Sequence, residues 1–313
     1  MPSNTSTADP RRPLKVGVQL PEVEREVRWP ELLDMARAIE DLGYDSIWLG
    51  EHLLYRYAER PPRGPWEAWT MLAGLSAVTS RVELGPLVAC TNFHNPALLA
   101  KQAATIDEIS GGRFILGLGA GWNRTEFDAF GYPYDHRIDR FEEAFTIIRT
   151  LLREGAIDFD GRYYQARDCE LLPRGPRPEG PPLMIGSVGP RMLDITMPHA
   201  DSWNVWFVDT DNSPAGVAPL RDLVDDACRR AGRDPEAVER TVAVQVRMPG
   251  GTGRLAGDGK RTPSPLEGSA AEMADVLRAY AHEGIAHVQL VIDPITVESI
   301  TAFAPVLEEL SKG

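Results

Sequence analysis

Glu51 and His52 stand side by side just beyond a short apolar run, residues 46–49, and form the acid–imidazole neighbour pair of this chain that falls where a strand should stop. A carboxyl and an imidazole placed in a cleft are tools for proton transfer near neutral pH. Adjacent side chains diverge, so one of the two can carry the proton while the other braces the loop, and the spacing leaves open which. Three further turns have residue types suited to a ligand. Residues 89–92 are the small polar cluster Ala89, Cys90, Thr91 and Asn92, directly after the apolar run 82–88. Residues 119–123 end in Gly121, Trp122 and Asn123, and residues 186–191 read Gly186, Ser187, Val188, Gly189, Pro190 and Arg191. Glycines allow close approach of backbone to a ligand, and amides opening a helix suit a phosphate. Trp122, Trp203 and Trp206 suit a flat aromatic ligand, although a buried tryptophan serves the core equally well.

The elements that must position these turns alternate along the chain. Strands are expected at residues 15–20, 46–49, 82–88, 114–118, 183–185, 202–205, 241–246 and 287–292. Helices are expected at residues 29–42, 65–79, 96–109, 139–153, from 190, 218–231, 269–283 and 296–310. Their punctuation is chemical: Pro96 in a first turn, Gly111 and Gly112 past a last one, and a capping box from Ser269 to Glu272. A hairpin around Asp160 and Gly161 followed by a proline-rich stretch interrupts the alternation after strand four, and a long loop, residues 248–268, interrupts it after strand seven. Eight strand–helix units predict an α/β fold, a (β/α)8 TIM barrel with insertions after strands 4 and 7; a doubly wound open sheet is the competing arrangement. In the barrel, every turn named above lies at the carboxyl ends of the strands, where active sites form. His287 starts its strand and His282 sits on a helix, so both read as structural, while His94, His136 and His199 lack metal-ligand spacing. The glycines 117, 119 and 121 lack the third glycine of a dinucleotide fingerprint.

Composition sets the bounds. The 313 residues fit one barrel, with residues 1–13 a disordered tail and 14–313 a single domain. A net charge of −13 argues against nucleic acid or an anionic membrane as partner and for a small molecule. Cys90, Cys169 and Cys228 are odd in number and scattered, which predicts no disulfide and no zinc, and suits the cytoplasm, as does the lack of a signal core or membrane span. The loop 248–268 carries Arg254, Lys260 and Arg261 against Asp258; it either closes over an anionic ligand or is simply solvated.

Residues 105–127 (TIDEISGGRFILGLGAGWNRTEF), 45–53 (DSIWLGEHL), 182–192 (PPLMIGSVGPRM less its first proline) and 199–204 (HADSWN) resemble the bacterial luciferase-like superfamily of flavin and deazaflavin oxidoreductases. The wording GPLVACTNFHNP and DHRIDRFEEAF is similar to the branch that uses coenzyme F420, a 5-deazaflavin. The resemblance implies a (β/α)8 homodimer with a redox ring across the barrel mouth and its phosphate near residues 186–190. It also implies a non-prolyl cis peptide under the ring at Leu87–Val88 or Val88–Ala89. Val88, Ala89, Cys90, Thr91, Gly121, Trp122, Asn123, Gly186, Ser187, Val188, Gly189 and Pro190 are the implied cofactor-binding residues, with Glu51 and His52 as the catalytic candidates. Trp122 stands where sugar-phosphate dehydrogenase relatives carry an acid, and Glu126 comes later, which points away from a sugar phosphate. The implied activity is hydride transfer between C5 of F420 and a small organic substrate, with FMN-dependent monooxygenation as the alternative. Either needs a flavin or F420 reductase or dehydrogenase as electron source. A non-catalytic flavin-binding barrel is the remaining reading.

Overall fold

The computed structural model describes residues 12–22, 24–56, 61–253 and 262–312. Strands β1 (Lys15–Gln19), β2 (Ser46–Leu49), β3 (Glu83–Pro86), β4 (Ala89–Cys90), β5 (Leu116–Gly119), β8 (Leu183–Gly186), β9 (Ser202–Val205), β10 (Glu239–Arg247) and β11 (Ile285–Asp293) form one parallel sheet in the order β3-β2-β1-β11-β10-β9-β8-β5-β4. A parallel bridge between Leu84 and Phe114 joins β3 toward β5, so the sheet nearly closes on itself. β3 and β4 are two halves of the third barrel strand. The halves pair on different sides, β3 with β2 and β4 with β5, and the peptide between Leu87 and Val88 is cis. The eight-strand barrel is therefore present, and the expected continuous strand over 82–88 is interrupted where the resemblance placed a cis bond.

Helices α1 (Trp29–Asp41), α2 (Ala68–Val78), α3 (Pro96–Ser110), α5 (Arg137–Glu154), α6 (Pro190–Thr196), α7 (Ala218–Arg230), α8 (Ala270–His282) and α9 (Val297–Leu310) follow the successive strands, with the short α4 (Arg124–Phe130) between β5 and α5. Local chemistry sets their ends. The Asn95 side chain accepts from the amide of Leu98 to start α3, and Gly111 in the left-handed region stops it. Ser269 and Glu272 form the expected reciprocal box at the start of α8. α2 starts three residues later than expected, because the Glu67 carboxylate caps the amides of Trp69 and Thr70 and leaves Pro65 and Trp66 outside. The insertion after the fourth barrel strand is an antiparallel hairpin of β6 (Ala156–Asp160) and β7 (Gln165–Glu170). Most of the second insertion, including Arg254, Lys260 and Arg261, lies outside the described residues, as does the expected tail up to residue 11. Arg12 is docked: its guanidinium pairs with Asp45 at 2.9 Å in a fully buried setting. No helix among the described residues is long and apolar enough to cross a membrane.

Strand side chains alternate between the layer facing the helices and the barrel lumen. Val16, Val18, Ile47, Leu84, Leu116, Leu118, Ile185, Trp203 and Val205 bury against the helices in one continuous apolar core. The lumen holds a polar set instead. Trp48 Nε1 donates to Ser46 Oγ at 2.7 Å, and that hydroxyl lies 2.7 Å from His287 Nε2. The hydroxyl thus links the indole to the imidazole. Burial holds the His287 imidazole well below its ordinary pKa, neutral and structural as expected.

Candidate active site

The carboxyl ends of the strands surround a cleft of about 590 Å³. That volume is within the roughly 300–1,000 Å³ of small-molecule and cofactor sites. Val88, Ala89 and Cys90, just before and in β4, and Gly186, Ser187, Val188 and Gly189, at the end of β8 and in the turn after it, all line it. Glu51, His52, Gly121 and Trp122 also line it, so eleven of the fourteen residues singled out from the sequence converge on one cavity.

The floor is shaped by Val88. A Cβ added to Gly117, Gly119 or Gly186 would come within 2.9 Å of a Val88 methyl carbon. These three glycines therefore admit the valine side chain to the centre of the barrel mouth, a different use from the ligand approach expected of them. Gly121 does take a positive φ of 72°, and a Cβ there would strike the Cys90 sulfur. Burial, with the Glu51 carboxylate nearby, pushes the Cys90 thiol well up, so the sulfur is a protonated packing group beneath the turn.

The two catalytic candidates have different surroundings. Glu51 is a brace. Its Oε1 accepts from Trp69 Nε1 and from His94 Nε2, each at 2.7 Å, and its Oε2 accepts from the Cys90 amide at 2.7 Å. One carboxylate thus ties β2, α2 and the turn after β4 together, with its acceptor capacity committed to protein donors. His52 faces the cleft, and its Nδ1 lies 3.1 Å from both carboxylate oxygens of Glu126. Glu126 Oε1 in turn accepts from the amide of Leu53 at 2.6 Å and that of Leu54 at 3.2 Å. The imidazole is therefore oriented through Nδ1–H, which makes Nε2 the basic nitrogen. Tyr55 and Trp122 flank the ring at centroid separations of 4.7 and 5.7 Å.

Thr91, Asn123 and Pro190 do not line the cleft. Thr91 is fully buried with its hydroxyl directed to the Gly119 carbonyl at 3.3 Å. Asn123 donates to the Leu54 carbonyl at 3.1 Å and so pins the loop that carries His52. Pro190 opens α6, whose seven residues make a short helix. The turn expected to hold a phosphate offers fewer free donors than its residues suggested: Pro190 has no N–H, the Gly189 amide donates to Ser187 Oγ at 3.2 Å, and Arg191 pairs with Asp139 and Glu142. Trp203 belongs to the core and donates to the Ser187 carbonyl at 2.7 Å, whereas Trp206 lines the cleft. Glu126 and Asn204 are cleft residues whose positions sequence spacing alone did not single out. The signal for Glu126 was an acid in the first turn of a helix opening beside strand four.

A family model for luciferase-like monooxygenases matches residues 14–248, three quarters of the chain. The chain belongs to the luciferase-like monooxygenase family. Relatives within this family fall on both sides of the cofactor question. Pyrimidine monooxygenase RutA of Enterobacter sp. (strain 638) is 36% identical over 174 residues, 54% of this chain and 47% of the relative. The 5,10-methylenetetrahydromethanopterin reductase of Archaeoglobus fulgidus is 30% identical over 230 residues, 74% of this chain and 63% of the relative. The chain thus spans about half the length of the first and less than two thirds of the second. A solved F420-dependent secondary alcohol dehydrogenase holding an F420–acetone adduct shares the fold, with a TM-score of 0.79 at 19% identity over 95% of this chain and 99% of that one. A riboflavin lyase with modified FMN does so equally, with a TM-score of 0.79 at 15% identity over 96% and 91%.

Proposed function

We propose that this luciferase-like protein binds coenzyme F420 across the barrel mouth and moves hydride between the ring and a small organic substrate. The observation that carries this reading is the His52–Glu126 pair: an imidazole held at 3.1 Å through Nδ1, lining a cleft that Val88 and the turn 186–189 also line. F420 supplies a hydride carried at C5 of a flat ring, so the protein must supply a platform, an anchor and a proton. Leu87 and Val88 offer an apolar platform that a tricyclic ring can rest on, and the cavity volume accommodates it. The Ser187 hydroxyl and the Val188 amide, which line the cleft, would hold a phosphate. His52 holds or releases the proton at Nε2, and Glu126 fixes its tautomer and steadies the imidazolium. Trp122, Tyr55 and Trp206 wall the space above the ring and favour a flat or apolar substrate.

A second reading, a monooxygenase using reduced FMN, is favoured by the 36% identity to pyrimidine monooxygenases through the segment that matches them. Titrating FMN and F420 into the purified protein and following ring fluorescence separates the two. Saturable binding of F420 with FMN at least tenfold weaker supports the deazaflavin reading; tight binding of FMN alone overturns it in favour of the monooxygenase. Binding of a ring with no turnover on any donor or acceptor panel supports a non-catalytic barrel. Homodimerisation, a separate reductase or dehydrogenase as electron source, and residence in the cytoplasm belong to the same proposal.

A further inference from the structure

Asn204 sits on β9 with its side chain on the lumen side, lining the cleft and only 4% exposed. Its amide nitrogen donates to Thr241 Oγ1 and to Gln289 Oε1, both at 2.8 Å. Both amide hydrogens are thereby spent inside the barrel, so the carbonyl Oδ1 is the polar atom that Asn204 contributes to the cleft. The neighbouring position across the sheet is Gly186, in register with Asn204, where the absent side chain leaves the amide uncovered. That same glycine makes room for the Val88 methyls, so Val88 and Asn204 form one continuous stretch of floor, apolar on one side and a hydrogen-bond acceptor on the other. Glu22, Glu51 and Glu126, the other buried acids lining the cleft, accept from the Gln19 amide, from donors that include the Cys90 amide, and from His52 respectively. Asn204 is therefore a fixed acceptor beside an apolar platform.

We infer that Asn204 is a positioning residue that accepts a hydrogen bond from the imide N3–H of the bound ring and so sets which way round the ring lies. The inference rests on the flat-ring reading above. Flavin and deazaflavin share a pyrimidinedione edge whose N–H lies between two carbonyls. An edge that presents N3–H satisfies Oδ1; a ring turned end for end leaves that buried acceptor without a donor, which costs about 1–3 kcal/mol. The network behind the amide gives the contact its direction, because Thr241 and Gln289 hold Asn204 as an acceptor.

The test compares each ring that binds, FMN or F420, with its N3-methyl derivative by fluorescence titration of the full-length wild-type protein and of Asn204→Leu, whose fold is checked by circular dichroism. The wild type should bind the methylated ring at least tenfold more weakly than the parent, and that ratio should collapse to within about twofold in Asn204→Leu. Equal affinity for both rings in the wild type, or the same preference in the variant, overturns the assignment. Should Asn204→Leu fail to fold, Asn204→Ala, which also lacks an acceptor, takes its place under the same criterion. Failure of both parent rings to bind the wild type would sink the functional reading itself, a result distinct from binding without discrimination.

Discussion

Removing the carboxylate of Glu51 separates its bracing role from a catalytic one. Glu51→Leu leaves the Trp69 indole N–H and the Cys90 amide buried without an acceptor, since those residues are 3% and 4% exposed, while His94, on the margin of the cluster, can turn toward water. Each stranded buried donor costs about 1–3 kcal/mol, so the loss is on the order of 4 kcal/mol. That is a large part of the ~5–15 kcal/mol by which domains are stable. Glu51→Gln keeps one oxygen but sets an NH2 group against one of three donors, and should cost about 1–2 kcal/mol. Urea unfolding followed by tryptophan fluorescence gives both values by linear extrapolation. In the folded fraction of Glu51→Gln, turnover per bound ring should change by less than about tenfold, because the proton resides on His52. A stability within ~0.5 kcal/mol of wild type together with abolished turnover would refute the argument and return the proton to Glu51.

Three other outcomes follow from the same geometry. His52→Gln should lower turnover by about 10²–10⁴-fold, the usual weight of general acid–base catalysis, with ring affinity changed less than threefold by titration; retained turnover removes the imidazole from the reaction. In Gly117→Ala the new Cβ would meet the Pro86 carbonyl oxygen and lie 2.9 Å from a Val88 methyl, so the free energy of unfolding should fall by about 1–3 kcal/mol and ring binding should weaken; urea midpoints and titration report both. His287 has a folded pKa well below its unfolded value of about 6.5, so the unfolded chain binds the extra proton. Its contribution to stability is full above that pH and falls by about 1.4 kcal/mol per pH unit as pH drops below it, until the folded pKa is reached. The difference between wild type and His287→Gln, measured by urea unfolding at pH 7 and pH 5, should carry this slope, and a difference independent of pH would show that His287 is not held neutral.

The architecture was legible because each strand announces itself twice, by an apolar run and by the turn chemistry after it. Residues 46–49 and 202–205 are strands with the expected limits, and the Ser269 box starts its helix as written. The third strand was legible only in part. Val82 to Val88 is apolar apart from Glu83, yet the ladder stops at Pro86, which has no N–H to donate, and resumes at Ala89 with a different neighbour. Periodicity cannot encode that change of partner, and it came instead from the resemblance.

At the site, what the chain could show was the set of turns, and what it could not show was the division of labour among them. Glu51 and His52 look equivalent as neighbours and both line the cleft, but the first is tied to Trp69, His94 and Cys90 and the second to Glu126. Their partners lie 18 to 74 residues away, in segments whose own pattern is ordinary helix or turn. Asn204 was hidden for a related reason: in Ser202–Val205 the residues on either side of it face the helices, and the run reads as one buried strand. A barrel buries both faces of its strands, so a polar residue inside such a run is the sign of the lumen. By that argument Asn204, Thr241, Gln289 and His287 are one inward-facing set, and the part of it that reaches the mouth is where ligand selection should be sought.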